Sequence, residues 1–156
     1  MLVRGALGGW SLGGLLTVRD GAESTVTCIG DPGGIYATTT LCPLSGNPNT
    51  GAPHTVREWF NTSVVEPVSV IPNGQFSSQY IGGVVRLPGF WEWDQSIFKN
   101  FKLRSESKFI QLRVDGFNVA NTPTWSGVST SQGATFGQVT GANPGRVFQA
   151  ALKFVF

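Results

Sequence analysis

Four stretches of the chain alternate apolar and polar residues with a period of two, which in a strand sends the two kinds of side chain to opposite faces. Phe148, Ala150, Leu152, Phe154 and Phe156 share one face, while Val147, Gln149, Ala151, Lys153 and Val155 share the other. The segment from Phe109 sets Ile110, Leu112 and Val114 against Gln111, Arg113 and Asp115, a cleaner separation. Before it, Trp91, Trp93, Ile97 and Phe101 oppose Glu92, Asp94, Ser96 and Asn100, with Gln95 and Lys99 interrupting the apolar side. Near the start, Trp10, Leu12, Leu16 and Val18 oppose Ser11, Thr17 and Arg19. The pattern predicts strands over residues 10–20, 90–102, 109–119 and 146–156, joined by long loops over 21–89 and 120–145.

Each segment is close to the roughly 9–11 residues that a tilted strand needs to cross a bilayer. The second and third are joined by a short polar turn, Arg104-Ser105-Glu106-Ser107-Lys108, whereas the other connections are the two long loops. Outer-membrane barrels alternate short periplasmic turns with long extracellular loops in this way. Trp10, Trp91 and Trp93 stand near strand starts, as in an aromatic girdle. A soluble sandwich also alternates, but the charge here, Lys99 apart, is confined to the face opposite the tryptophans, which favours a barrel wall. Four strands do not close a barrel, for which about 8 is the working minimum. Open edges in lipid leave unpaired backbone groups at several kcal/mol each. The expected fold is therefore all-β, an antiparallel up-and-down meander of four transmembrane strands: a partial outer-membrane β-barrel, unless the chain is soluble.

Composition agrees with a surface that is not wholly aqueous. Charged residues make up only 13% of the chain, against roughly 25% in a typical soluble domain. Thr, Ser, Asn and Gly fill the polar places instead. A net charge of +2, from 11 dispersed basic residues, is too small for a nucleic-acid footprint. Met1 to Val18 is apolar, but Gly8, Gly9, Gly13 and Gly14 interrupt it and no small-residue cleavage site follows, so it reads poorly as a signal peptide. No stretch reaches the 18 or more apolar residues of a membrane helix. Cys28 and Cys42 lie in a Gly/Pro/Thr-rich stretch, a setting that suits a disulfide in an oxidising compartment and would equally suit two unpaired thiols.

The runs Gly89-Phe90-Trp91-Glu92-Trp93-Asp94-Gln95-Ser96-Ile97-Phe98-Lys99-Asn100-Phe101, Leu112-Arg113-Val114-Asp115-Gly116-Phe117-Asn118, Ala134-Thr135-Phe136-Gly137-Gln138-Val139 and Gln149-Ala150-Ala151-Leu152-Lys153-Phe154-Val155-Phe156 resemble the C-terminal part of TonB-dependent outer-membrane receptors. The group most similar is the large Oar-like receptors that carry a carboxypeptidase-regulatory-like domain. Gly8 to Gly14 and Trp59-Phe60-Asn61-Thr62 resemble further parts of the same barrels, in collinear order. The likeness is weakest from Thr27 to Val56, and Leu87 stands where a small residue is usual before Pro-Gly. The resemblance implies TonB-energised import of a bulky solute. It also implies partners: outer-membrane lipid, the remainder of the barrel and its plug, TonB acting through that plug, and the barrel-assembly machinery, for which Phe156 would be the terminal aromatic signal. With no plug or TonB box in the sequence, the chain is expected to be a fragment that does not transport alone.

Chemistry of other kinds finds little support. Glu92 and Asp94 are a carboxylate pair on one strand face, as a glycosidase needs, but polar residues facing a hydrated lumen, together with Arg113 and Asp115, explain them without catalysis. His54 is the only histidine, so neither a zinc set nor a Ser-His-Asp triad is plausible. No enzyme, metal or cofactor is expected. Asn61-Thr62-Ser63 fits a glycosylation sequon, a coincidence in a bacterial outer membrane. In the loops Trp59, Phe60, Tyr80 and Trp125, with Phe136, are positioned to stack on a ligand ring or to pack the loops together. The alternative function is a secreted all-β carbohydrate-binding module with a tryptophan platform.

Overall fold

The computed structural model describes residues 8–77, 83–103 and 108–156, and the chain divides into two compact units. In chain order the strands are β1 (Trp10–Arg19), β2 (Glu23–Ser24), β3 (Thr27–Ile29), β4 (Thr39–Leu41), β5 (Val85–Arg86), β6 (Phe90–Lys102), β7 (Phe109–Phe117), β8 (Trp125–Val128), β9 (Val139–Ala142) and β10 (Val147–Val155). Two single-turn 3₁₀ segments, Thr62–Val64 and Val68–Val70, complete the set.

The first unit is a four-stranded antiparallel sheet in the order β1-β6-β7-β10. Its strands pair in sequence order once the long connections are set aside, which is the expected meander. The register carries the alternation across the whole sheet. Leu12 lies opposite Ile97, Ile97 opposite Val114 and Val114 opposite Ala150. On the other face Gly13, Ser96, Asp115 and Gln149 form the neighbouring row. A slip of one residue in any pair would exchange the two faces.

Both polar interruptions of the apolar face are accommodated locally. Gln95 sits across from Gly14, and its Nε2 donates to the Gly13 carbonyl at 3.0 Å. A Cβ on Gly14 would come within 2.7 Å of the Gln95 side-chain oxygen, so the glycine makes the notch that holds the amide. Lys99 is only 3% exposed, its ammonium 5.1 Å from the Trp10 ring and 5.2 Å from that of Phe101. The apolar stem is covered and the charge meets two ring faces.

The third strand ends at Phe117 rather than at 119. Asn118 has a positive φ of 49°, and its side chain holds both the amide and the carbonyl of Thr122, at 3.0 and 2.9 Å. An asparagine side chain that closes a turn in this way competes with the ladder and stops the strand.

The second unit contains β2, β3, β4, β5, β8 and β9, drawn from both long connections. It is more ordered than loops, with three two-stranded ribbons, β2–β5, β3–β4 and β8–β9. Val26, Cys28, Cys42, Phe60 and Val85 form its buried core, with Val65, Val68, Val84, Leu87, Val128 and Phe136 packed around them. Cys28 and Cys42 are joined by a disulfide. The two connections are tied together through the main chain, with Thr27 N–H donating to Thr130, Gln132 N–H to Thr27 and Trp59 N–H to Gly137.

Candidate functional site

The polar face of the sheet brings together the four charged residues singled out from the sequence. Glu92 and Asp94 on β6 and Arg113 and Asp115 on β7 all lie on it. Arg113 pairs with Asp115 on its own strand, its Nε donating to both carboxylate oxygens at 2.8 and 2.9 Å. The Ser96 hydroxyl donates to the same carboxylate from the neighbouring strand. Asp94 accepts the Asn118 amide at 2.9 Å. That carboxylate therefore anchors the turn after β7, while Arg113 pairs within its own strand.

The aromatic residues of the second unit divide. Phe60 is 1% exposed and meets Phe136 edge to face at 5.5 Å between centroids. It is a core residue and not a ligand contact, because a side chain that fills the centre of a small apolar cluster has no surface to offer. Trp125 is half-buried on β8. Tyr80 lies outside the described residues. Phe156 follows β10 and is almost fully exposed.

Trp59 is different. Its main-chain N–H is held by the Gly137 carbonyl at 2.7 Å and its indole N–H by the Arg86 carbonyl at 2.9 Å, so the ring is fixed, and the residue is partly buried. His54 stands edge-on to it, 4.9 Å between centroids. Together with Asp20, Asn49 and Arg86 these residues line an open cleft of about 340 Å³, at the small end of the roughly 300–1,000 Å³ of ligand pockets. Asn49 stiffens its wall by accepting the Arg86 amide at 2.8 Å and donating to the Val84 carbonyl at 2.7 Å. Gly21 is required beside it, since a Cβ there would overlap the Leu87 carbonyl. His54 takes a positive φ of 51°, kept by the turn in which Thr55 N–H donates to Glu58 at 2.9 Å.

Sequence reasoning singled out Trp59 but not the residues that line the cleft with it. Asp20, Asn49, His54 and Arg86 are scattered along the chain and no spacing links them. Among the described residues no group of His, Cys, Asp and Glu is arranged to hold a metal ion.

A sheet with one apolar and one polar face kept in register over four strands, and with its connections sorted into one short and two long, is the wall of an outer-membrane β-barrel. The family model of the outer membrane beta barrel domain matches residues 1–149. The chain belongs to that family, and its place is the bacterial outer membrane. Among curated proteins and among solved structures, none matches it.

Proposed function

We propose that the chain is part of the barrel of a TonB-dependent receptor of the Oar-like group, in which it serves solute uptake and carries no catalytic role. The apolar face lies against lipid and the polar face lines the hydrated lumen. The two long connections leave the sheet at its extracellular end, because β1 ends, β6 begins, β7 ends and β10 begins at one end of the sheet. The observation that carries this reading is the placement of aromatics on the apolar face. Trp91 and Trp93 lie near that end and Trp10 and Phe101 near the other. From Trp91 to Phe101 the strand runs roughly 33 Å, which at a tilt of about 40° spans an apolar band about 25 Å tall. A carbohydrate-binding module would instead need this face covered by a core of its own.

Two measurements test the proposal. Thiol labelling of single cysteines in intact cells should reach positions 50 and 129 and leave position 105 unlabelled; the opposite pattern rejects the orientation. Solutes that remain in the medium when the gene for this chain is deleted should also remain when TonB is deleted. A solute whose uptake depends on this chain but not on TonB rejects the TonB-dependent class while leaving the barrel intact.

A further inference from the structure

We propose that the Trp59 cleft is a binding site for a neutral hexopyranose unit of an oligosaccharide, an inference that names the solute class for the uptake reading above and rests on it only for the ligand's fate. The indole carries the argument. Its N–H is already bonded to the Arg86 carbonyl, so at the cleft it lines the indole has no polar group left for a ligand, only its apolar ring surface. A π face takes a flat, weakly polar partner, and the axial C–H face of a pyranose is one.

The groups around the ring match what a sugar's hydroxyls require. Each hydroxyl both donates and accepts, so a sugar site needs acceptors and donors together. The Asp20 carboxylate can only accept, the Arg86 guanidinium can only donate, and the His54 imidazole can do either. All three side chains belong to exposed residues at the cleft. Arg86 reaches Glu23 only at 3.9 Å, with both side chains more than half exposed, an ion pair weak enough to yield to a ligand. One cation and one carboxylate on the same cleft leave it close to neutral, which disfavours a ligand with a net charge. The site is also preorganised: the ring is fixed at both nitrogens of Trp59 and His54 is kept by its turn, so little ordering is left for binding to impose.

The test uses the full-length receptor in detergent on a printed array of neutral and acidic oligosaccharides. Neutral pyranose-terminated glycans should be retained. Trp59→Ala should weaken that retention at least tenfold, and Trp59→Phe, which keeps a stacking face, by less. Asp20→Asn, at an exposed position, should also weaken it. Formation of the Cys28–Cys42 disulfide in each variant reports that the unit has folded. Retention of acidic glycans alone, of none, or retention unchanged in a folded Trp59→Ala variant overturns the proposal. Retention that follows Trp59, in cells that import the same glycan equally well without TonB, keeps the sugar site and rejects the uptake reading.

Discussion

In the sheet, Leu12, Leu16, Val18, Leu152 and Phe154 are between 57% and 71% exposed; in the second unit Val26, Cys28, Cys42, Phe60 and Val85 are at most 1% exposed. The sheet has strong main-chain pairing and no core. The loop-derived unit has short ribbons and a core with a covalent crosslink. Burial of apolar area is the main favourable term for a soluble unit, and only the second region achieves it from its own residues. The first leaves that surface to its surroundings, as a barrel wall in lipid does. One chain thus holds two regions stabilised by different media, and a change in one should leave the other standing.

The largest effect expected is at Phe60. Phe60→Ala should destabilise the second unit by about 3–5 kcal/mol, read as protease cleavage of the loops in intact cells, while the heat-modifiable barrel persists. Equal loss of barrel and loops would show that the regions are one cooperative body. Replacing Cys28 and Cys42 together by serine should remove about 3 kcal/mol from the same unit, the expectation for a loop of this length, and dithiothreitol should reproduce the loss in the unaltered protein. In the sheet, Leu112→Arg should cost about 2–4 kcal/mol of barrel stability in urea titrations in lipid, while Gln111→Arg, on the opposite face, costs little. Equal costs at the two positions would mean a core on both sides. The smallest effect is at Asn118, where Asn118→Ala removes the side-chain bonds to Thr122 and should cost about 1–2 kcal/mol, seen as faster hydrogen exchange at the end of β7 alone.

The sheet was legible because alternation is a local signal. Phe109 to Phe117 states its two faces within one strand, and the register needs only that like faces be shared. Gln95 and Lys99 read as blemishes because what absorbs them, Gly14 and the Trp10 ring, lies on another strand. The second unit was not legible as a unit. Its strands are two to four residues long, too short to show a period, and Thr27 is joined to Ser131 from the far connection. Phe60 and Trp59 are adjacent and both aromatic, so nothing local separates the core residue from the one that lines a cleft. The Cys28–Cys42 spacing permitted the disulfide without requiring it.

The ribbon between β2 and β5 also bears on how the barrel comes together. In the unfolded chain Arg19 and Phe90 are ends of a long loop, and bringing them together costs entropy that grows with the logarithm of its length. Glu23 pairs with Arg86 and the Leu87 amide bonds the Ala22 carbonyl, only a few residues inward along the chain from the Arg19–Phe90 pair that closes β1 onto β6. Once the second unit has formed, β1 and β6 are tethered like the arms of a hairpin whose turn is a folded domain. Their pairing then becomes a local zippering event, fast compared with the search that a chain open over the whole of 20–89 would face.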